Sequence, residues 1–247
     1  MNKTLCAILL LSAMVSFSNA QSVRPLGKNS APLVPTPPPY CHPCLFYGGD
    51  LDPTGPGANA LLNAKTRVVP DGAAVYVPFV IPEGTQWVIE GLFANVDSEQ
   101  TVIDPPVATY YISRGVSSGG AGTLITTGDA PATYTPTGRA LLPSVEYTVL
   151  VSIPKMVLQS GTYWMAVVPH CTEHGDSQCS SALYWLSDVE DVPPPNHVGF
   201  EPWDDSFWDS EGNNAYYSPT WGVGGGCNDV GCDRFSAGVI GVVQKSD

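Results

Sequence analysis

Charge is scarce in this chain, and basic charge scarcest of all. Only 13% of its 247 residues are Asp, Glu, Lys or Arg, and 10 bases stand against 23 acids, a formal balance of -13. So acidic a surface repels nucleic acid and anionic lipid, and it offers no basic patch to a phosphate. Long apolar runs are missing as well once the first twenty residues are passed. None approaches the roughly 20 residues of a membrane helix, so no membrane insertion is expected. Nor does any stretch of about a dozen residues carry a 3.6-residue apolar stripe free of Gly and Pro, which excludes a helical bundle.

What is present reads as an export signal, a leader and strands. MNKTLCAILLLSAMVSFSNA has one Lys, an apolar run from Leu5 to Val15, and small residues at Ser18-Asn19-Ala20. That is the pattern of a secretory signal peptide over 1–20, and it implies a secreted, extracellular product. Cys6 lacks the preceding small residues of a lipid-attachment site. Residues 21–43 form a Pro-rich, semi-rigid leader without a hydrophobic period.

Residues 44–247 are expected to make one domain. Its 25 Gly and 24 Pro, counted over the whole chain, punctuate short runs of strand formers. These include 75–81, 86–96, 107–113, 122–128, 132–135, 145–153, 163–168, 182–186 and 235–243. The turn Pro82-Glu83-Gly84 predicts that 75–81 and 86–96 pair as a hairpin. Pro78 predicts an edge or bulge. The fold class expected is all-β: an antiparallel, jelly-roll-like β-sandwich of about 9–11 strands with one long acidic loop region.

That region lies between Cys171 and Cys227, where ten Asp or Glu occur with no Lys or Arg, alongside Trp203, Phe207, Trp208, Tyr216, Tyr217 and Trp221. Two chemistries suit it. Asp204, Asp205, Asp209 and Glu211 supply the hard oxygens calcium takes, although their spacing is not that of an Asp-x-Asp-x-Asp-Gly loop. Trp203, Trp208, Tyr216 and Trp221 are of the kind on which the apolar faces of sugars stack. The bland alternative is a solvated loop whose aromatics pack onto the strands.

Six cysteines follow the signal: Cys41, Cys44, Cys171, Cys179, Cys227 and Cys232. In an exported chain they imply disulfides. Short spacing favours Cys171–Cys179 and Cys227–Cys232, with Cys41–Cys44 as the default third and a swap between leader and distal loop as the alternative. Cys41-His42-Pro43-Cys44 is not read as a redox motif, because neither flank is helical and a low-pKa thiolate there needs a helix N-terminus. An enzyme is not expected. The acidic run offers carboxylates with nothing to choose a facing pair, and no Gly-x-Ser-x-Gly elbow accompanies His170, His174 or His197.

Several pieces also occur in a set order: Tyr47-Gly48-Gly49-Asp50, Arg114-Gly115 with Gly119-Gly120, Thr137-Gly138-Arg139, Glu146-Tyr147-Thr148-Val149, Gly161-Thr162-Tyr163-Trp164 and Phe235-Ser236-Ala237-Gly238-Val239. In these the chain resembles a group of uncharacterised exported bacterial β-sandwich proteins, many with a PEP-CTERM-type sorting tail. The resemblance implies export and fold and carries no catalytic residue. The tail is absent, so release rather than anchoring is expected. The functional expectation is a non-catalytic glycan- or matrix-binding extracellular module, without a cofactor unless calcium. Its partner would be extracellular polysaccharide or surface matrix. The alternatives are a structural extracellular component with no specific ligand and, third, a glycan-active enzyme.

Overall fold

The computed structural model describes residues 24–25, 44–50, 59–66, 72–98, 106–117, 119–141, 144–171, 185–187, 197–199, 206–209, 216–217 and 235–245. They contain strands and no helix. The strands are β1 (Arg24–Pro25), β2 (Cys44–Tyr47), β3 (Asn59–Leu62), β4 (Lys65–Thr66), β5 (Ala74–Ser98) and β6 (Val107–Arg114). The second half adds β7 (Thr123–Leu141), β8 (Ser144–Cys171), β9 (Trp185–Ser187), β10 (Phe207–Asp209), β11 (Tyr216–Tyr217) and β12 (Ala237–Lys245). The all-β expectation holds, and pairing is antiparallel except for the two-residue contact of β4 with β8.

Two separate stacked sheets are not what forms. All twelve strands belong to one hydrogen-bonded sheet, with the path β1-β3-β9-β5-β8-β6-β7 at its centre. The sheet curls into a half-barrel around its own inner face. The reason lies in β5 and β8, which pair from Val77↔Met165 to Ser98↔Val145.

The expected hairpin at Pro82-Glu83-Gly84 is therefore corrected. Both flanking runs are parts of β5, both pair with β8, and the only irregularity there is a register break between Ile81 and Gln86. Phe79 and Trp87, eight residues apart on this strand, nevertheless stack with ring centroids 5.8 Å apart. A straight strand would separate them by about 26 Å. The two-stranded ribbon thus bends sharply back on itself, and the apolar side chains of its two halves meet.

Those side chains are the main core. Val75, Val77, Phe79 and Ile81 alternate inward from the first half of β5, and Ile89, Leu92, Ala94 and Val96 from the second. Tyr163 stacks on Phe79 at 5.8 Å and Phe46 of β2 reaches it at 6.1 Å. Pro78 pairs with Trp164 where β8 is the only strand beside β5 among the described residues, since β10 stops at Tyr76, which is the edge position expected. The acidic connection is not simply a loop: it contributes β9, β10 and β11, and Phe207 of β10 is buried against Trp164.

Candidate functional site: a buried ionic clamp

Period-two alternation sends Phe93, Asn95 and Asp97 of β5, and Glu146 and Thr148 of β8, to the face opposite the main core. That face is nonetheless sealed. Tyr47, Asp50, Asn95, Asp97, Glu146 and Ser236 are all fully buried. The chain just after β2 and the residues leading into β12 lie over it, with Tyr47 against Phe93 at 5.4 Å. Gly48 permits this closeness, because a Cβ there would fall on the carbonyl oxygen of Phe235.

The fourth wall is a bulge in β7. Pro136 pairs with Tyr147 and Ala140 with Val145, so Thr137, Gly138 and Arg139 together oppose Glu146 alone. Gly138 takes φ +81°, a backbone state that other residues enter only with strain. The bulge aims two side chains at one carboxylate. Thr137 Oγ1 donates to Glu146 Oε2 at 2.6 Å, and Arg139 Nε donates to the same oxygen. Arg139 Nη1 meets Asp50 Oδ1 at 2.8 Å, so one guanidinium joins two buried carboxylates.

The neutral half of the network is satisfied donor by donor. Tyr47 donates its hydroxyl to Asp50 Oδ1 at 2.5 Å. Asn95 Nδ2 donates to Tyr47 Oη at 3.0 Å and to Ser236 Oγ at 2.7 Å. Ser236 Oγ donates to the Gly49 carbonyl at 2.6 Å, and Thr148 Oγ1 donates to Asn95 Oδ1 at 2.6 Å. Arg139 Nη2 has no hydrogen-bond partner among the described residues. Burial, reinforced by the Asp50 carboxylate, raises Tyr47 well above the ordinary phenol value and keeps it a donor. The two carboxylates and Tyr47 raise Arg139 against the opposing effect of burial.

This arrangement ties five parts of the chain, from residue 47 to residue 236, across one point. It cannot meet a substrate: Arg139 is 3% exposed and both its carboxylate partners 0%. Its chemistry is that of a lock. Replacing such a cluster by apolar groups is often neutral, whereas breaking it strands a charge, so its value lies in specifying register.

A second polar group stands at the surface. Thr109 of β6 pairs in register with Asp129 of β7 and donates to its Oδ1 at 2.5 Å. The same hydroxyl lies 2.6 Å from His170 Nε2 at the end of β8. This is no nucleophile-base pair, because the one hydroxyl proton goes to the carboxylate.

The candidate residues of the acidic segment fare differently. Trp203, Asp204, Asp205, Glu211 and Trp221 lie outside the described residues. Trp208 and Tyr216 stand in β10 and β11, where the register sets Trp208 opposite Tyr217 and Asp209 opposite Tyr216. Asp209 is buried. Cys44 begins β2 and Cys171 ends β8, while Cys41, Cys179, Cys227 and Cys232 lie outside the described residues. Among the described residues no group of three or more His, Cys, Asp or Glu is placed to hold a metal ion, and no helix is long and apolar enough to cross a membrane.

Sequence reasoning quoted Asp50, Arg139, Glu146, Thr148 and Ser236 without giving any of them a role. The available signal was local: Glu146 is the one charge in the strand-forming run 145–153. Compared with protein-family models and with curated proteins, the chain matches none.

Proposed function

We propose that this chain is an exported, non-catalytic β-protein whose acidic, aromatic segment binds extracellular polysaccharide or surface matrix. One observation carries the reading: the segment is mounted on the sheet through β10, which pairs with β5, and β11, which pairs with β10, so that Phe207, Trp208, Asp209, Tyr216 and Tyr217 are held in fixed register. Aromatic faces take the apolar faces of sugar rings, and carboxylates accept hydroxyl protons. Binding surfaces of this kind work best when carried on a rigid scaffold. The sealed clamp supports the non-catalytic part, since the strongest charges of the scaffold are out of reach of any ligand.

Export rests on the first twenty residues and on the cysteines. The six cysteines after the signal would pair as disulfides in an oxidising compartment. The back-folded β5/β8 ribbon supports a jelly-roll-like reading of the half-barrel. The test is titration of the mature protein with neutral and acidic polysaccharides, followed by tryptophan fluorescence and repeated with Trp208→Ala. Saturable quenching lost in the variant is expected. Silence across a glycan array, with unchanged fluorescence, leaves the structural role in its place.

A further inference from the structure

The Thr109–Asp129–His170 cluster joins β6, β7 and the end of β8 at one imidazole. Thr109 lies on β6 and Asp129 opposite it on β7. His170 reaches Thr109 diagonally from β8, two residues beyond Val168, the register partner of Thr109. Lys65 of β4 pairs with His170 from the other side of β8. Thr109 is 6% exposed, so its hydroxyl is shielded from water.

The hydrogen bonds determine the tautomer. Asp129 only accepts, so Thr109 gives it the hydroxyl proton, and the short contact to His170 then requires Nε2–H to donate to Thr109 Oγ1. Nδ1 is left with its lone pair and is the atom that titrates. Of the charged groups facing the ring, Asp129 lies 3.6 Å from Nε2 on the β7 side, and Lys65 stands on the β4 side. β6 presents the uncharged Thr109.

We propose that this cluster is a pH-responsive clasp: with His170 neutral it ties β6, β7 and the end of β8 together beside β4, and protonation at Nδ1, which sets a second cation beside Lys65, loosens the two-residue β4–β8 contact first. β4 is the element that gives way because β8 is its only partner strand among the described residues. β6 and β7 keep their long ladders, and the His170–Thr109–Asp129 relay survives protonation because every donor in it still donates. The direction of His170's titration agrees, since burial and Lys65 lower its pKa from the ordinary 6.5 while Asp129 only partly opposes them.

Nuclear magnetic resonance of the mature chain, between about pH 8 and pH 5, tests the clasp. The expected result is an Nε2–H tautomer at neutral pH and a His170 midpoint below 6.5. Amide exchange at Lys65 and Thr66, corrected for intrinsic rates, should accelerate across that midpoint. Lys65→Met should raise the midpoint and blunt the acceleration, and Asp129→Asn should lower the midpoint. His170→Gln should abolish the pH step; if that variant does not fold, the two charge variants carry the test on the native imidazole. An Nδ1–H tautomer, a midpoint unmoved by Lys65→Met, or exchange at Lys65 and Thr66 that ignores the midpoint overturns the proposal.

Discussion

Arg139 and Gly48 show how much single positions do here. Arg139→Met removes the only cation among the described residues that joins Asp50 and Glu146, both fully buried, and should cost about 3–5 kcal/mol in denaturant unfolding. Adding Asp50→Asn and Glu146→Gln to it should recover much of that loss, since the penalty comes from stranded charge and not from lost attraction. A triple variant no more stable than Arg139→Met would show that the guanidinium acts through packing. Gly48→Ala inserts one methyl against the Phe235 carbonyl and should cost about 1–3 kcal/mol, the scale of overpacking. A neutral result would mean that the chain around residue 235 yields easily.

At the scale of elements, the bend of the β5/β8 ribbon and the bulge of β7 shape everything else. Phe79 is the hub of the bend, touching Phe46, Trp87 and Tyr163. Phe79→Ala should cost about 3–5 kcal/mol. Trp87, only 4% exposed in the native protein, should then emit at longer wavelength as water reaches its ring.

The run 75–81 was legible as a strand because its apolar residues alternate. Its partner was not. Pro-Glu-Gly reads locally as a reversal, but both flanking runs take β8 as their partner, so the chain bends there and its ladder resumes beyond a register break. The clamp was illegible for a related reason. Alternation assigns Asn95, Asp97, Glu146 and Thr148 to the face away from the core, which a local rule gives to water. What covers them arrives from residues 47–50 and 235–236, far away in sequence. The two excess residues of the β7 bulge likewise mean nothing until Glu146 stands opposite Thr137, Gly138 and Arg139.

For the molecule as a whole, half-buried His170 and buried Tyr47 bound the pH range of stability. His170 binds a proton more weakly folded than unfolded. Below about pH 6.5 the unfolded chain therefore takes up that proton first, and stability falls as pH falls until the folded imidazole titrates too. Tyr47 is raised above 10.0, so above that pH the unfolded chain loses its proton first and stability falls as pH rises. Chemical unfolding across this range should give a plateau between the two flanks. His170→Gln should flatten the acid flank relative to wild type, and Tyr47→Phe the alkaline one, even though Tyr47→Phe lowers the plateau by taking one hydrogen bond each from Asp50 and Asn95. A flank unchanged in its variant would assign it to other groups.

The sequence alone determined that this chain is built of strands. Residue-by-residue alternation, the density of Gly and Pro and the scarcity of helical stripes are local properties, and backbone preference acts locally. Its acidity and the composition of its first twenty residues are likewise fixed without reference to a fold. Tertiary structure decided that one curled sheet forms, that β5 runs on where a hairpin was expected, and that Tyr47, Asp50, Arg139 and Glu146 meet. Each of those outcomes depends on what lies opposite a residue. Hydrogen bonding and desolvation are settled by neighbours in space, and here the decisive neighbours are as much as 189 residues apart along the chain.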